Sequence, residues 1–364
     1  MATSTASTRF RIVLGALLPV AILISARLTL ATIGEIAIPT VKGPVPSSGK
    51  PEDPAHDYIF YSTPMNLGKV GYVEQEYFIS GSATRYAVPA TPGDATPIGT
   101  MRYRTRIVVR RPARPMKFTG VVVIDWQNVT AGHDVDSEWS LAGEFFVRSG
   151  WAWVGASVQR IGVHGFEPPN PSAGRGLKQW SPSRYGSLDL TNGGTVTDDS
   201  QSYDIYSQVA QLLKHPGDIN PFEGRKVTRV YAGGVSQSAN FLIRYYNSVQ
   251  PVAKIYDGFL IGAGGGRPRL DLPTKLFKVY TETDVWRGQA AVRVADTNVT
   301  HTWEIAGASH VGAAMLAPDK SDFRATLGGI LERDVRPQFQ LSQSQCLRPY
   351  ASDVETWEIG RAHV

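Results

Sequence analysis

The stretch Gly234-Val235-Ser236-Gln237-Ser238 most constrains the fold of this chain, because it joins a strand pattern to a helix pattern. Residues 227–232 alternate and are β-branched, and residues 239–247 carry apolar side chains at helical spacing. Gly233 and Gly234 permit a strained backbone and a close helix–sheet approach. Such a tight turn exposes the serine hydroxyl beside the free N–H groups of a helix N-terminus, as an activated nucleophile requires. Ser238 replaces the usual last glycine and is small enough to fit.

The patterns around this motif predict one α/β domain with a mostly parallel sheet flanked by helices. Two near-continuous apolar runs, residues 120–126 and 151–158, are typical of strands buried on both faces, and residues 138–148 suit a crossover helix between them. The other expected elements are strands at 71–79, 103–110, 255–261, 276–280 and 302–305 and a helix at 204–214. Residues 39–54 are rich in Pro, Gly and Ser, which predicts an irregular segment.

One long stretch, residues 162–199, carries many Gly, Pro and Ser residues and no clear periodicity. A connection of this length inside a compact domain is usually functional or disordered. We predict a lid-like insertion or substrate-facing loop in which Trp180, Arg184 and Tyr185 contact the substrate. A plain surface loop is the alternative.

A serine hydroxyl is a poor nucleophile unless a base takes its proton, and histidine is the usual base near neutral pH. In strand–turn–helix serine motifs the partners follow in the order Ser, acid, His. His301, His310 and His363 are the histidines after Ser236. His301 begins an expected strand, the wrong end for a site at carboxyl strand edges, and His363 lies among the last residues. His310 follows that strand through a short loop and is therefore the predicted base.

The acid that holds the histidine is expected after the strand at 276–280. Asp284 and Glu282 both follow this strand, and either carboxylate would fix the histidine tautomer and stabilise the imidazolium. Asp284 has the usual spacing for the acid, with Thr281 in place of a glycine, whereas Glu282 lies nearer the strand end. Asp284 is preferred, and Glu282 is the alternative acid.

Negative charge on an attacked carbonyl oxygen needs N–H donors, which form an oxyanion hole. One donor is expected from the backbone of Gln237, directly after the serine. The second is expected from the loop after residues 120–126, where Gln127 and Asn128 are the candidates. This chemistry needs no cofactor and no metal. Cys346 is the single cysteine, which excludes an internal disulfide and a thiolate metal site.

The N-terminus has the pattern of a secretory signal peptide, in which Arg9 and Arg11 precede an apolar run at residues 12–26 and small residues follow. The run is short for a bilayer span and contains Pro19, so no stable membrane anchor is expected. We predict a signal peptide at residues 1–31 and a secreted or periplasmic protein. Its removal lowers the net charge from +5 to +2. No basic stripe with interleaved aromatic residues appears, so no nucleic-acid partner is expected, and the oligomeric state is left open.

The C-terminal residues 358–364 look like the translation of a sequencing adapter. We expect them to be a non-native tail, comparable to an expression scar, with the natural C-terminus missing.

Several of these segments resemble a family of mostly uncharacterised, largely bacterial proteins called alpha/beta hydrolase domain proteins. They are residues 103–112 (YRTRIVVRRP), 125–130 (DWQNVT), 234–239 (GVSQSA), 281–285 (TETDV) and 303–310 (WEIAGASH). The resemblance runs from about residue 37 to about residue 350 and implies an α/β-hydrolase fold. With the strand and helix patterns, we expect one domain over residues 32–357. The resemblance also implies a serine hydrolase in which Ser236 and His310 are the matching residues.

The expected function is a secreted serine hydrolase that cleaves a small-molecule or polymeric carboxylic ester through an acyl-enzyme. An amidase, a peptidase or an acyltransferase on the same scaffold is the first alternative, because the motifs encode neither leaving group nor acceptor. A non-catalytic binding protein that keeps the hydrolase fold is the second alternative.

Overall fold

The computed structural model describes Met1 and residues 35–48 and 55–311. The described residues contain one large sheet. Its strands are β1 (Thr40–Lys42), β2 (Tyr72–Ala87), β3 (Thr96–Pro112), β4 (Val121–Trp126), β5 (Ala152–Ala156), β6 (Arg229–Val235), β7 (Gly258–Gly262), β8 (Lys275–Thr281) and β9 (Thr300–Ile305).

The nine strands lie in the order β1-β2-β3-β5-β4-β6-β7-β8-β9. The pairs β1–β2, β2–β3 and β3–β5 are antiparallel. From β5 to β9 every neighbouring pair is parallel, which confirms the predicted, mostly parallel sheet. The carboxyl ends of parallel strands meet along one edge of a sheet, so the loops after β4, β6, β8 and β9 converge there.

Helices and helical turns cover the sheet. They are α1 (Ser137–Ser149), α2 (Arg160–His164), α3 (Leu177–Trp180), α4 (Pro182–Tyr185), α5 (Ser202–Lys214), α6 (Gln237–Arg244), α7 (Gln250–Ala253) and α8 (Glu282–Trp286), with 3₁₀ turns at Pro115–Lys117 and Gln289–Val292. A π-helical turn at Tyr245–Val249 links α6 to α7.

Strand β4 is buried on both faces. Val123 packs with Trp139 of α1 and Trp153 of β5 on one side. Ile124, which points the other way, belongs to the larger core together with Tyr206 of α5. This two-sided burial explains why the sequence of β4 is a continuous apolar run and not an alternating one.

The N-terminal part of the sheet is more extensive than the sequence predicts. Strands β2 and β3 form a 16- and 17-residue antiparallel ribbon, longer than the segments 71–79 and 103–110. The prediction that residues 39–54 are irregular is wrong at β1, which pairs with residues 78–80 of β2. Three residues carry too little periodicity to identify a strand, and this one forms through backbone pairing with an existing sheet edge.

Residues 162–199, the predicted insertion, pack partly into the core and are not a plain surface loop. It contains α3 and α4, and the side chains of Leu177, Tyr185, Leu188 and Leu190 are fully buried. The apolar residues are spaced without helical or strand period, so the sequence gives no sign of this burial.

The three residues of the insertion that were predicted to contact substrate have other partners. Arg184 binds Glu76 with its Nη2 2.6 Å from Oε2, and the Tyr185 hydroxyl donates to Glu76 Oε1 at 2.8 Å. Trp180 stacks on His56 with ring centroids 4.5 Å apart. Packing and ion pairing inside the fold therefore engage all three side chains, and their contact with substrate stays a prediction.

The predicted signal peptide, apart from Met1, and the predicted tail at 358–364 lie outside the described residues, as do Cys346 and His363. Among the residues that the structure describes, no helix has the length and apolarity needed to cross a membrane.

Candidate active site

Ser236 occupies the sharp turn between β6 and α6. Its backbone angles are φ 62° and ψ −115°, a positive φ that side-chain-bearing residues rarely adopt. The Ser236 N–H donates to the carbonyl of Gly262 at 2.9 Å, which anchors the turn to the end of the neighbouring strand β7. A strained residue persists only where its surroundings hold it, and such residues concentrate at functional sites.

Ser238 and Asn128 brace this turn. The Ser238 hydroxyl accepts from the Val235 N–H at 3.0 Å and donates to the Val235 carbonyl at 2.9 Å. The side-chain Nδ2 of Asn128 donates to the same carbonyl at 3.0 Å. The serine that replaces the usual glycine therefore fits and also adds two hydrogen bonds to the turn.

Ser236, His310 and Asp284 come together at the carboxyl edge of the sheet. Ser236 Oγ lies 2.8 Å from His310 Nε2, and His310 Nδ1 lies 2.5 Å from Asp284 Oδ1. When the imidazole carries its proton on Nδ1, it donates to Asp284 and its Nε2 is free to accept the serine proton. The order and spacing of the three groups match those of a nucleophile, a base and an orienting acid.

Asp284 is held on its other oxygen by the residue that begins α8. Its Oδ2 accepts from the Thr281 N–H at 2.9 Å and from the Thr281 hydroxyl at 2.6 Å. Burial acts to raise the pKa of the Asp284 carboxyl, but the hydrogen bonds from His310 and Thr281 outweigh burial and lower the pKa below its usual value. Asp284 is therefore anionic at neutral pH and can stabilise a positively charged imidazole.

Glu282, the alternative acid, has a different partner. Its Oε2 accepts from the Gly307 N–H at 2.7 Å, in the loop between β9 and His310. The geometry therefore separates the two carboxylates, because Asp284 contacts the imidazole and Glu282 holds the loop that carries it. His301 lies at the other end of β9, half exposed, with Nδ1 3.4 Å from Asp296.

The N–H groups of the loop after β4 are mostly occupied. Gln127 donates to the Ala156 carbonyl at 3.4 Å, and Asn128 donates to the Val135 carbonyl at 3.2 Å. The prediction that one of these two supplies a free backbone donor is therefore corrected. Both N–H groups already have carbonyl partners. Asn128 contributes through its side chain, which donates to the Val235 carbonyl.

The neighbouring Val129 N–H is paired differently. It donates to the side-chain oxygen of Gln237 at 3.2 Å, while the Gln237 Nε2 donates to Gln159 Oε1 at 3.2 Å. The backbone N–H of Gln237 belongs to the first residue of α6 and has no acceptor within the helix. The side chain of the residue that follows Ser236 thus occupies the backbone donor of Val129.

Sequence reasoning missed three contributions to this site. Nothing in the local pattern distinguishes the brace formed by the Asn128 side chain, the loop contact of Glu282 or the donor at Val129. Each depends on two segments that are far apart in the chain. Within the described ranges, no group of three or more His, Cys, Asp or Glu side chains is arranged to hold a metal ion. A hollow of about 400 Å³ beside Arg104 and Asp189 includes none of the site residues in its lining.

A strained serine between a parallel strand and a helix, with a histidine and a carboxylate from later strand ends, defines the α/β-hydrolase fold class. The family model described as alpha/beta hydrolase domain matches residues 41–357, and the chain belongs to this family.

No curated protein matches this chain. The solved structures that match this chain include an α/β serine hydrolase without a lid from Xanthomonas campestris. It is 14% identical, with 70% of this chain and 95% of that chain covered and a TM-score of 0.31. Acetyl xylan esterase 1 from a Thermoanaerobacterium species is 8% identical, covers 74% and 81% of the two chains and has a TM-score of 0.37. An α/β serine hydrolase homologue from Coxiella burnetii is 14% identical, covers 64% and 92%, and has a TM-score of 0.33.

Proposed function

We propose that the protein is a serine hydrolase that cleaves carboxylic esters through an acyl-enzyme. The observation that carries the proposal is the continuous contact from Ser236 Oγ through the His310 imidazole to Asp284, at 2.8 Å and 2.5 Å. The strained backbone at Ser236 and the anionic state of Asp284 support the same reading.

In the proposed reaction, Ser236 Oγ forms a bond to the ester carbonyl carbon while His310 Nε2 takes the hydroxyl proton. The carbonyl π electrons move to oxygen, and Asp284 stabilises the imidazolium. The tetrahedral intermediate collapses, the ester C–O bond breaks, and His310 returns the proton to the departing alcohol. A water molecule then repeats these steps on the acyl-enzyme and releases the acid.

For the oxyanion hole we propose the backbone N–H groups of Gln237 and Val129 in place of Gln127 and Asn128. The Val129 N–H is held by the Gln237 side-chain oxygen, and a substrate oxygen would replace that side chain. The availability of the Gln237 N–H at the start of α6 and the helix dipole both favour negative charge at this point.

The test of this proposal is the reactivity of Ser236. The Ser236→Ala variant should lose labelling by a fluorophosphonate probe and turnover of p-nitrophenyl esters. The matched control is Ser187→Ala, at an exposed serine of the insertion, which should keep both. Equal labelling of wild type and Ser236→Ala would overturn the assignment. Hydrolysis of the corresponding p-nitroanilides at a rate comparable to that of the p-nitrophenyl esters would favour the amidase alternative over the esterase.

We also propose that the enzyme is exported, on the basis of the signal pattern at residues 1–31. Expression of the full chain in a bacterial host should give a mature protein whose N-terminus, read by mass spectrometry, follows Ala31. Full-length protein retained in the cytoplasm would contradict export.

A further inference from the structure

Two carboxyl side chains lie buried behind the nucleophile turn and take no part in the proposed reaction. Asp125 ends the apolar run of β4 and is fully buried, and Glu138 stands in the first turn of α1 with 3% of its surface exposed. Asp125 lies beside Gly233 in the parallel pairing of β4 with β6. A methyl group added at Gly233 would be 3.2 Å from Glu138 Oε1. Both carboxyls therefore border the strand that leads directly into Ser236.

Only part of each carboxyl group is satisfied by hydrogen bonds. Asp125 Oδ2 accepts from the Glu138 N–H at 3.2 Å, and the Glu138 carboxyl accepts from the backbone of Gly234. In the part of the chain that the structure describes, neither Asp125 Oδ1 nor Glu138 Oε1 has a donor in good hydrogen-bond geometry. Burying two carboxylates with unpaired oxygens is costly unless a proton or a cation neutralises one of them.

The charged neighbours do not supply that cation. Asp136, in the loop before α1, adds a negative charge to the cluster. Arg110 of β3 is the nearby guanidinium, and it is ion-paired with Asp136 and with Glu74. From β5, the Trp153 indole lowers the pKa of Asp125 only in part.

From the other face of the sheet, the Tyr206 hydroxyl of α5 donates to the Ile124 carbonyl at 2.6 Å and not to either carboxyl. The groups that surround the two carboxyls are thus anionic, neutral or already paired. A proton is the remaining means of neutralisation.

We propose that Asp125 and Glu138 together hold at least one proton at neutral pH, and that this protonated pair is a positioning element for Gly233, Gly234 and hence Ser236. A proton on either carboxyl removes one of two buried negative charges that lie beside each other. The Glu138 carboxyl also remains in place to accept from Gly234, two residues before the strained serine. The role of the pair in positioning Ser236 rests on the proposed function, whereas the protonation of the pair does not.

The titration behaviour of the pair agrees with this arrangement. Burial, followed by the charge of Glu138, raises the pKa of Asp125 well above its usual value. Burial raises the pKa of Glu138 to about 7. A raised folded-state pKa gives stability that is complete at low pH and is lost as the pH rises through the folded value. The pair therefore predicts stability that declines as the pH rises from the usual carboxyl range through about 7, and a less well-placed Ser236 once Glu138 is ionised.

The first test compares pH profiles of fluorophosphonate labelling in wild type and in Glu138→Gln. The amide keeps a hydrogen-bond donor and an acceptor but cannot ionise. Wild-type labelling should fall about threefold or more between roughly pH 7 and pH 9, whereas the variant should stay within about twofold. Glu138→Leu, which has no polar group in this side chain, should be labelled slowly at every pH. Superimposable alkaline limbs in wild type and Glu138→Gln would refute the positioning role.

Asp204→Asn is the matched control. Asp204 is also a buried carboxyl with a raised pKa, but its partners are Thr84 and Gln208, near the β2–β3 ribbon. This variant should leave the alkaline limb of labelling where it is in wild type. A shift of that limb equal to the shift in Glu138→Gln would show a general effect of removing a buried carboxyl and would overturn the proposal.

The protonation of the pair is tested apart from catalysis in the Ser236→Ala background. The urea midpoint of this protein should fall as the pH rises through about 7, and adding Glu138→Gln should remove that fall. The infrared spectrum at neutral pH should contain the carbonyl stretch of a protonated carboxyl, which disappears at high pH. Because the infrared measurement uses the unsubstituted pair, it tests the protonation of the pair even if the Glu138→Gln variant does not fold.

The outcomes separate the two proposals. A pH-dependent urea midpoint and a protonated carboxyl, without any labelling of Ser236, would support the protonated pair and refute the proposed hydrolase function. Labelling of Ser236, together with a urea midpoint that does not change with pH and no protonated carboxyl, would refute the protonated pair and support the proposed hydrolase function.

Discussion

Replacing Asp284 by asparagine tests the proposed triad most directly, because the surroundings of this side chain dictate how the amide will sit. Asp284 Oδ2 accepts two hydrogen bonds from Thr281, at 2.9 Å and 2.6 Å, and Oδ1 faces His310 Nδ1. The amide oxygen of the variant takes the position that faces the two Thr281 donors. Its NH₂ group then points at His310 Nδ1, which must accept, so the imidazole proton moves to Nε2 and the base can no longer take the Ser236 proton.

The size of the loss follows from two terms. Turning the amide the other way would set its NH₂ against the Thr281 donors and leave them unpaired, at a cost of about 1–3 kcal/mol, or roughly 5- to 150-fold in the population of the productive tautomer. The negative charge that stabilises the imidazolium is lost as well. Together these place the fall in kcat at about 10³- to 10⁴-fold. KM should change little, because Asp284 does not contact substrate in the proposed mechanism.

The assay is steady-state hydrolysis of p-nitrophenyl acetate, with Glu282→Gln as the matched control. A Gln at this position can accept the same hydrogen bond from Gly307 that Glu282 accepts at 2.7 Å, so kcat should fall by no more than about tenfold. If Asp284→Asn stays within tenfold of wild type while Glu282→Gln loses a thousandfold, the assignment of the acid is wrong.

Three further changes test the surroundings of the site. Gln237→Ala removes the side chain that covers the Val129 N–H and keeps its own backbone donor, so kcat/KM for small esters should rise about two- to tenfold, and a fall of that size would refute the proposed donor. Ser238→Gly removes two hydrogen bonds to Val235, so the free energy of unfolding from urea titration should drop by about 1–3 kcal/mol; an unchanged midpoint would contradict the bracing role. Glu76→Ala removes one buried carboxylate partner from each of Arg106 and Arg184 and should cost about 3–5 kcal/mol in the same titration, and a loss below about 1 kcal/mol would show that the insertion is not fixed through this residue.

The sequence was sufficient where a local pattern and the chain order act together. The strand and helix patterns around Ser236 predict the turn, and the order Ser, acid, His singles out His310 among three histidines. The structure brings these residues into contact across 74 positions of chain. The choice between Asp284 and Glu282 lay beyond the pattern, because it depends on which carboxylate reaches the imidazole and which reaches Gly307.

Other features were unpredictable because their partners come from distant segments. Tyr185 lies in a stretch without periodicity, yet it is buried through its contact with Glu76, 109 residues earlier. The N–H groups of Gln127 and Asn128 look available from the sequence. In the structure they donate to the carbonyl of Ala156 in β5 and to that of Val135 in the loop before α1. Whether a backbone N–H already has an acceptor depends on tertiary contacts, and local sequence patterns do not predict it.

The buried ion pairs of β3 account for how the loop after β4 keeps its place above the serine. Arg106 Nη2 lies 3.2 Å from Asp134, and Arg110 is paired with Asp136, so two arginines of one strand hold the same loop. Buried ion pairs contribute little net stability, because desolvation offsets their attraction. Fixing donors before the substrate arrives, however, removes the reorganisation that would otherwise accompany charge development. These two arginines of the antiparallel ribbon would then contribute more to the precision of the proposed site than to the stability of the fold.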